Sequence, residues 1–184
     1  MSDREAELQA ARLGKVEVHG KPIELVDYDA TWPELFDREA EKIRAALGEE
    51  VLGLEHAGST SVPGLAAKPI IDIVLTVADS ADEDAYVTAL EAAGYELTIR
   101  ERDWHEHRVL KGTDPNVNLH VFSADCSEIE RMLVFRDRLR MHDEDRELYE
   151  RTKRALARRT WKYTQDYADA KRAVVEEILA RANA

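Results

Sequence analysis

The sequence has a single cysteine, Cys126, and no apolar run that approaches the roughly 18 residues needed to span a bilayer. One cysteine cannot form an internal disulfide bond, so a reducing compartment is expected. Cys126 precedes a predicted helix, where a structural thiol is favoured over a catalytic one. Residues 1–5 are polar and have no apolar stretch behind them, which argues against a secretory signal. We therefore expect a cytoplasmic protein that does not associate with membranes.

Basic residues are in deficit, and this limits the class of partner. The chain carries 38 acidic and 26 basic residues, for a net charge of −12. An acidic protein repels nucleic acid unless its cations are clustered. Between residues 131 and 159 the arginines and lysines interleave with acids, which favours a solvated face with ion pairs over a nucleic-acid patch. A small phosphorylated ligand needs only about two or three cations, so it remains a candidate partner.

The length and the hydrophobic pattern indicate one folded domain. The chain has 184 residues, of which 44% are hydrophobic, enough to bury a core. Residues 1–21 are polar and are expected to form a loosely attached lead-in, and residues 22–184 the domain. The expected class is α/β (α+β), a mixed β-sheet flanked by helices with a C-terminal helical segment. The pattern predicts strands over residues 23–26, 51–56, 70–77, 95–100, 104–110 and 118–122, and helices over residues 31–47, 81–93, 128–140, 144–159 and 164–181.

The most informative segment is the loop over residues 57–69, which is rich in Gly, Pro and hydroxyl residues. Glycine lets backbone amides approach a ligand closely, and Ser and Thr add uncharged donors. A lysine adds a point charge for an anion. The order of these residues is not that of a Walker loop. The candidate phosphate-binding residues here are Gly58, Ser59, Thr60, Ser61 and Lys68.

Asp72 stands inside the otherwise apolar strand that follows this loop. Burying a carboxylate is costly unless it is paired or coordinated, so Asp72 is a candidate catalytic or metal-binding residue. The alternative is a structural carboxylate that accepts hydrogen bonds from the loop amides or pairs with Lys68.

Four histidines lie near this strand in the predicted sheet. His105 and His107 are two apart on a predicted strand and would share a face. With Asp72, two or three of the imidazoles would bind one divalent metal such as Mg²⁺, Mn²⁺ or Zn²⁺, or supply a general base. The alternative is a set of half-buried histidines satisfied by local hydrogen bonds. The candidate metal ligands are Asp72, His56, His105, His107 and His120.

Helical spacing in the last third of the chain places basic residues on shared faces. Arg136 and Arg140 are four residues apart, as are Tyr149 and Lys153. Such faces would close over the sheet and bring Arg136 or Lys153 to the phosphates of a ligand. The alternative is tertiary ion pairing of Arg136 with Asp137 or with Asp72.

The run Gly-Ser-Thr-Ser-Val-Pro-Gly-Leu-Ala-Ala-Lys-Pro-Ile-Ile-Asp at residues 58–72 resembles the hallmark of the GrpB-like proteins. Further motifs agree in order, among them Trp32-Pro33, Ala93-Gly94-Tyr95 and the residues 118–122. The resemblance covers about residues 22–182 and implies a nucleotidyltransferase-like fold. In that superfamily a Gly-Ser turn holds phosphates, and carboxylates on neighbouring strands hold two metal ions. Here Val74 and Asn118 stand where two of the three carboxylates are expected, which weakens that implication.

Two functions therefore remain. The first is binding of a nucleotide or another phosphorylated small molecule, with transfer of a nucleotidyl or phosphoryl group near Asp72 and His120 with a divalent cation. The second is a non-catalytic nucleotide-binding or chaperone-like module that has lost the metal carboxylates. The resemblance also implies a link to dephospho-CoA kinase, to which GrpB-like domains are fused in some relatives.

Overall fold

A β-branched run in the middle of the chain supplies an interior strand of a five-stranded sheet. This strand, Ile71–Val77, contains no turn residues, and most of its side chains are buried on both faces, as its apolar sequence predicts. In the computed structural model, which describes residues 2–182, the strands are β1 (Gly53–Ala57), β2 (Ile71–Val77), β3 (Glu96–Glu101), β4 (His107–Thr113) and β5 (Asn116–Ser123). The helices are α1 (Asp3–Ala11), α2 (Trp32–Leu47), α3 (Val87–Ala92), α4 (Ser127–Met141), α5 (Asp143–Ala157), α6 (Thr164–Ala170) and α7 (Arg172–Ala182).

The sheet is mixed, with the strand order β1-β2-β5-β4-β3. Strand β2 runs parallel to β5 and antiparallel to β1, and the other neighbours are antiparallel. The main core lies on the face that carries Ile71, Ile73 and Leu75, where α2 and α3 pack through residues such as Ile43 and Leu90. The predicted mixed sheet with flanking helices is therefore confirmed.

The other face of the sheet is only partly covered. Ala57, Val74 and Phe122 form a small cluster with Ile129 and Met132 of α4. The helices α4, α5 and α7 pack on one another through a second cluster, which leaves the neighbouring part of this face to polar residues. This polar region is the candidate site described below.

The N-terminal segment is attached to the domain at its ends. Helix α1 has no buried residue, and Arg4 forms ion pairs with Asp166 and Asp169. The amide of Leu13 donates to the carbonyl oxygen of Thr98 on the outer edge of β3. No helix within residues 2–182 combines the length and the apolar character that crossing a membrane requires.

Several predicted element boundaries were wrong. Residues 102–106 form a turn, and the backbone φ angles of His105 and Glu106 are 55° and 47°, values that cannot continue a strand. Strand β4 therefore begins at His107, and His105 does not share a strand face with it. Residues 23–26 make only an isolated bridge between Val26 and Ala67, and the helix predicted over residues 164–181 is interrupted at Lys171. The helix predicted over residues 31–47 is confirmed as Trp32–Leu47.

Candidate functional site

The register of three strands places a row of polar residues on the less covered face of the sheet. Asp72 on β2 pairs with Asn118 on β5, and Asn118 pairs with Lys111 on β4. On the other side Asp72 pairs with Ala57, the last residue of β1. The loop that begins at Gly58 therefore starts beside Asp72.

The Asp72 carboxylate has two partners on β5. Asn118 Nδ2 donates to its Oδ1 atom at 3.0 Å, and His120 Nε2 lies 3.5 Å from the same oxygen. The side chain is 27% exposed, so it is accessible from one side. Burial raises the pKa of Asp72, but His120 and Asn118 outweigh that effect and hold the pKa below its ordinary value. Asp72 is therefore ionised at neutral pH, and neither a loop amide nor Lys68 is its closest partner.

Gly58 is required by its closeness to this carboxylate. Its φ angle is 65°, in the region that favours glycine. A Cβ atom at this position would lie 2.3 Å from Asp72 Oδ2, well inside contact distance. The loop thus bends directly over Asp72.

Lys153 reaches this loop from α5. Its Nζ atom donates to Ser59 Oγ at 2.9 Å and to the carbonyl oxygen of Ala66, and it lies 4.9 Å from the centre of the Tyr149 ring. The residue is only 2% exposed. Burial, assisted by the charge of Lys171, lowers the pKa of Lys153 to about 7.

Two further lysines face the same space. Burial and the neighbouring Lys171 lower the pKa of Lys68, and the charges of Asp72 and Lys111 also act on it. Burial likewise lowers the pKa of Lys171, whose Nζ atom lies 4.6 Å from the centre of the Tyr167 ring. Within the described residues, none of these lysines has a carboxylate at ion-pair distance. We call this group of neighbouring side chains the lysine pocket; strand register, the Lys153–Ser59 hydrogen bond and mutual charge effects place together Ser59, Lys68, Asp72, Lys111, Lys153 and Lys171.

The hydroxyls of Thr60 and Ser61 are used inside the loop. Thr60 Oγ1 contacts His56 Nε2 at 3.0 Å and donates to the carbonyl oxygen of Ile70. Ser61 Oγ donates to the carbonyl oxygen of Gly58 at 2.6 Å. Both residues are buried, so in this structure they stabilise the loop and do not present their hydroxyls to the lysine pocket.

The five residues predicted as metal ligands are not brought together. His56 pairs with Ile73, on the opposite face from Asp72, and its ring stacks on Phe36 of α2 at 4.9 Å. Burial lowers the pKa of His56 to about 4, so it is neutral at pH 7. His105 is exposed in the turn that precedes β4. Only His107 and His120 lie on the face that carries Asp72.

His107 is connected to Asp72 through His120. His107 Nε2 lies 3.1 Å from His120 Nδ1, and His107 Nδ1 lies 2.7 Å from a carboxylate oxygen of Glu101 on β3. Burial lowers the pKa of His107, although Glu101 opposes this effect. The sequence did not indicate Glu101, because its position opposite His107 depends on the pairing of β3 with β4.

The donor set does not suit the two-metal chemistry that the sequence resemblance implies. Among the described residues no three His, Cys, Asp or Glu side chains are arranged to hold a metal ion. Val74 is fully buried against Phe122, and Asn118 supplies an amide where a third carboxylate is expected. Mg²⁺ and Mn²⁺ prefer several oxygen ligands, and the nearby lysines repel a cation.

Arg136 lies outside the lysine pocket. It forms ion pairs with Glu55 and Asp137, both at 2.7 Å, and donates to the carbonyl oxygen of His56. The pairing with Asp137 is the structural alternative that the sequence left open. Arg136 lines a separate open cavity of about 700 Å³ between α2, β1 and α4, together with Phe36 and other residues.

The mixed five-stranded sheet and its flanking helices make this chain an α/β protein, and its lysine pocket lies beside a Gly-Ser loop. Comparison with known proteins then gives the family: the model described as GrpB protein matches residues 22–181, so the chain belongs to the GrpB family. A UPF0157 protein of Halalkalibacterium halodurans is 58% identical, over 97% of this chain and 91% of that protein.

Two other proteins are similar, one in its structure and one over part of the sequence. The crystal structure of conserved protein GrpB from Enterococcus faecalis has a TM-score of 0.67 and 31% identity, covering 84% of this chain and 98% of that one. A dephospho-CoA kinase of Mycolicibacterium paratuberculosis is 38% identical, over 47% of this chain and 22% of the kinase.

Proposed function

We propose that the chain binds a nucleotide or another phosphorylated small molecule in the lysine pocket. The observation that carries the proposal is the concentration of positive charge, in a protein whose net charge is −12. Lys68 and Lys171 lie near one carboxylate, Asp72, and their charges also act on Lys153, which has Glu150 as its nearest acid. Buried cations are costly unless they are paired. A phosphate group would pair with these ammonium groups and offset the cost of burying them, which favours binding of a phosphorylated ligand.

The pocket offers different contacts to different parts of such a ligand. Lys68 and Lys171 are half-buried and supply mobile point charges. Lys153 is fixed by Ser59 and would bind one phosphate oxygen as an ammonium group. Lys111, at the end of the row on β4, is exposed and would reach a second phosphate.

Transfer of a nucleotidyl or phosphoryl group is a second candidate, favoured by Asp72 beside His120 at the edge of the pocket. In that case the lysines would neutralise the charge that develops on the phosphate oxygens, which is the usual role of such groups. A requirement for a divalent cation remains a prediction. The partial similarity to dephospho-CoA kinases supports instead a binding role beside a nucleotide-dependent enzyme.

Calorimetric titration with inorganic pyrophosphate and with ATP, each with and without Mg²⁺ or Mn²⁺, tests binding. We expect binding without metal, weakened about tenfold to a hundredfold by Lys171→Met, because a charge-assisted hydrogen bond contributes about 1.5–3 kcal/mol. The matched control is Lys15→Met, a lysine exposed on the N-terminal segment. Equal affinity of the two variants, or the absence of binding, would refute the proposal.

Turnover separates the two candidates. Release of labelled phosphate or pyrophosphate from a bound nucleoside triphosphate that Asp72→Asn abolishes would support transfer. Binding without turnover over a screen of acceptors and metals would leave the chain as a binding module.

A further inference from the structure

Four titratable side chains form a continuous line across four strands. Glu101 on β3 contacts His107 on β4, His107 contacts His120 on β5, and His120 contacts Asp72 on β2. The three contacts measure 2.7, 3.1 and 3.5 Å. One end of the line is the pocket, where Asp72 is 27% exposed, and the other is Glu101, 35% exposed.

The middle of the line is shielded from water. The side chain of His107 is 7% exposed, and its ring stacks on Phe122 at a centroid distance of 4.6 Å and an interplanar angle of 15°. Trp104 covers the same ring edge-on at 5.1 Å. A proton on His107 can therefore leave most readily to the groups that its two ring nitrogens contact, Glu101 and His120.

The contacts along the line depend on how many protons the two imidazole rings carry. If both imidazoles carry a proton on Nδ1, His107 donates to Glu101 and His120 donates to His107. His120 Nε2 then holds a free electron pair that faces Asp72, which is an unfavourable contact between two acceptors. A third proton on Nε2 completes the line, so the two rings together hold either two or three protons.

We propose that Glu101, His107 and His120 form a proton relay that withdraws a proton from the lysine pocket. A proton that leaves a ligand hydroxyl binds to His120 Nε2, directly or through the Asp72 carboxylate. His120 then releases its Nδ1 proton to His107 Nε2, and His107 releases its Nδ1 proton to Glu101. The ligand oxygen loses one proton, Glu101 gains one, and the exposed Glu101 returns it to water.

This inference rests on the proposed function only for the identity of the proton donor. The positioning residues are Glu101 and His107, since neither reaches the pocket. Burial is the main cause that lowers the pKa of His107, and the charge of Arg108 adds to it from the opposite face of β4, where Arg108 is paired with Glu83 at 2.6 Å. Lys68 acts on Asp72 at the other end of the line.

Nitrogen-detected NMR titration of the histidine rings, without any ligand, tests the relay. We expect the two rings to titrate together, with shared apparent midpoints, because the protons belong to the pair. Glu101→Gln keeps an acceptor for His107 but removes the charge. It should change the pH dependence of the nitrogen signals of His120 as well as of His107, although Glu101 does not contact His120. The control is Glu91→Gln, an exposed residue at the end of α3.

Asp72→Asn provides the second variant and should change the pH dependence of the His107 signals from the other end. Midpoints of His107 and His120 that respond only to the adjacent substitution would overturn the relay. Inorganic pyrophosphate should raise the shared midpoint of the wild-type protein and not that of Lys171→Met. Failure of pyrophosphate to bind would refute the proposed function alone, because the ligand-free titration would still report the relay.

Discussion

Replacing Lys153 by Met should change the stability of the protein in opposite directions at low and at high pH. The native pKa of Lys153 is about 7, against an ordinary value of 10.5. The difference is about 3.5 pH units, and at 1.36 kcal/mol per unit it corresponds to about 5 kcal/mol. This is the cost of keeping the ammonium group in the folded protein below pH 7.

The direction follows from proton binding. Between pH 7 and 10.5 the unfolded chain holds the Lys153 proton and the native protein does not, so native stability rises with pH across this window. Below pH 7 both states hold the proton, and the full cost is present. Methionine has no such dependence, but it leaves the carbonyl oxygen of Ala66 without its Lys153 partner, which costs about 1–3 kcal/mol.

The expected change in stability is the burial cost that Lys153→Met removes minus the cost of the hydrogen bond to Ala66 that it loses. At about pH 6 Lys153→Met should be about 2–4 kcal/mol more stable than the wild-type protein, and at about pH 11, above the unfolded pKa of 10.5, it should be about 1–3 kcal/mol less stable. Urea unfolding followed by circular dichroism at both pH values measures the difference, with Lys15→Met as the exposed control. A difference between wild-type and variant proteins that does not depend on pH would show that Lys153 is not held as the structure indicates.

Two further predictions concern the loop and the ligand. Gly58→Ala should destabilise the protein by about 2–4 kcal/mol more than Gly64→Ala in chemical unfolding, because both positions have positive φ angles but only at Gly58 would a Cβ atom clash with Asp72; equal losses would argue against the close approach. Pyrophosphate binding near pH 8 should take up close to one proton in the wild-type protein, since a bound anion favours the charged form of Lys153, whose free pKa is about 7. Calorimetry in buffers of different ionisation enthalpy measures the uptake, and the same uptake in Lys153→Met would contradict this origin.

The sequence predicted the parts of the fold that depend on local pattern. The apolar run over residues 70–77 predicted an interior strand, and the pattern over residues 31–47 predicted α2, because both patterns depend only on neighbouring residues. The turn before β4 was missed because His105 adopts a left-handed conformation that its side chain does not require.

The candidate site divides in the same way. The sequence indicated Gly58, Ser59 and Asp72 as site residues, because the loop that holds the first two leads directly into the strand that holds Asp72. The histidines were grouped by strand spacing, and this grouping failed for His56 because β1 turns that side chain toward α2.

The sequence by itself determined the elements, the family motif and the presence of an acid in an apolar strand. Only the tertiary structure decided which distant residues surround that acid. Lys153 and Lys171 come from α5 and from the break between α6 and α7, and Glu101 reaches the line through two strand pairings. Such contacts depend on how whole elements pack, and packing joins residues whose separation in sequence carries no information about their distance.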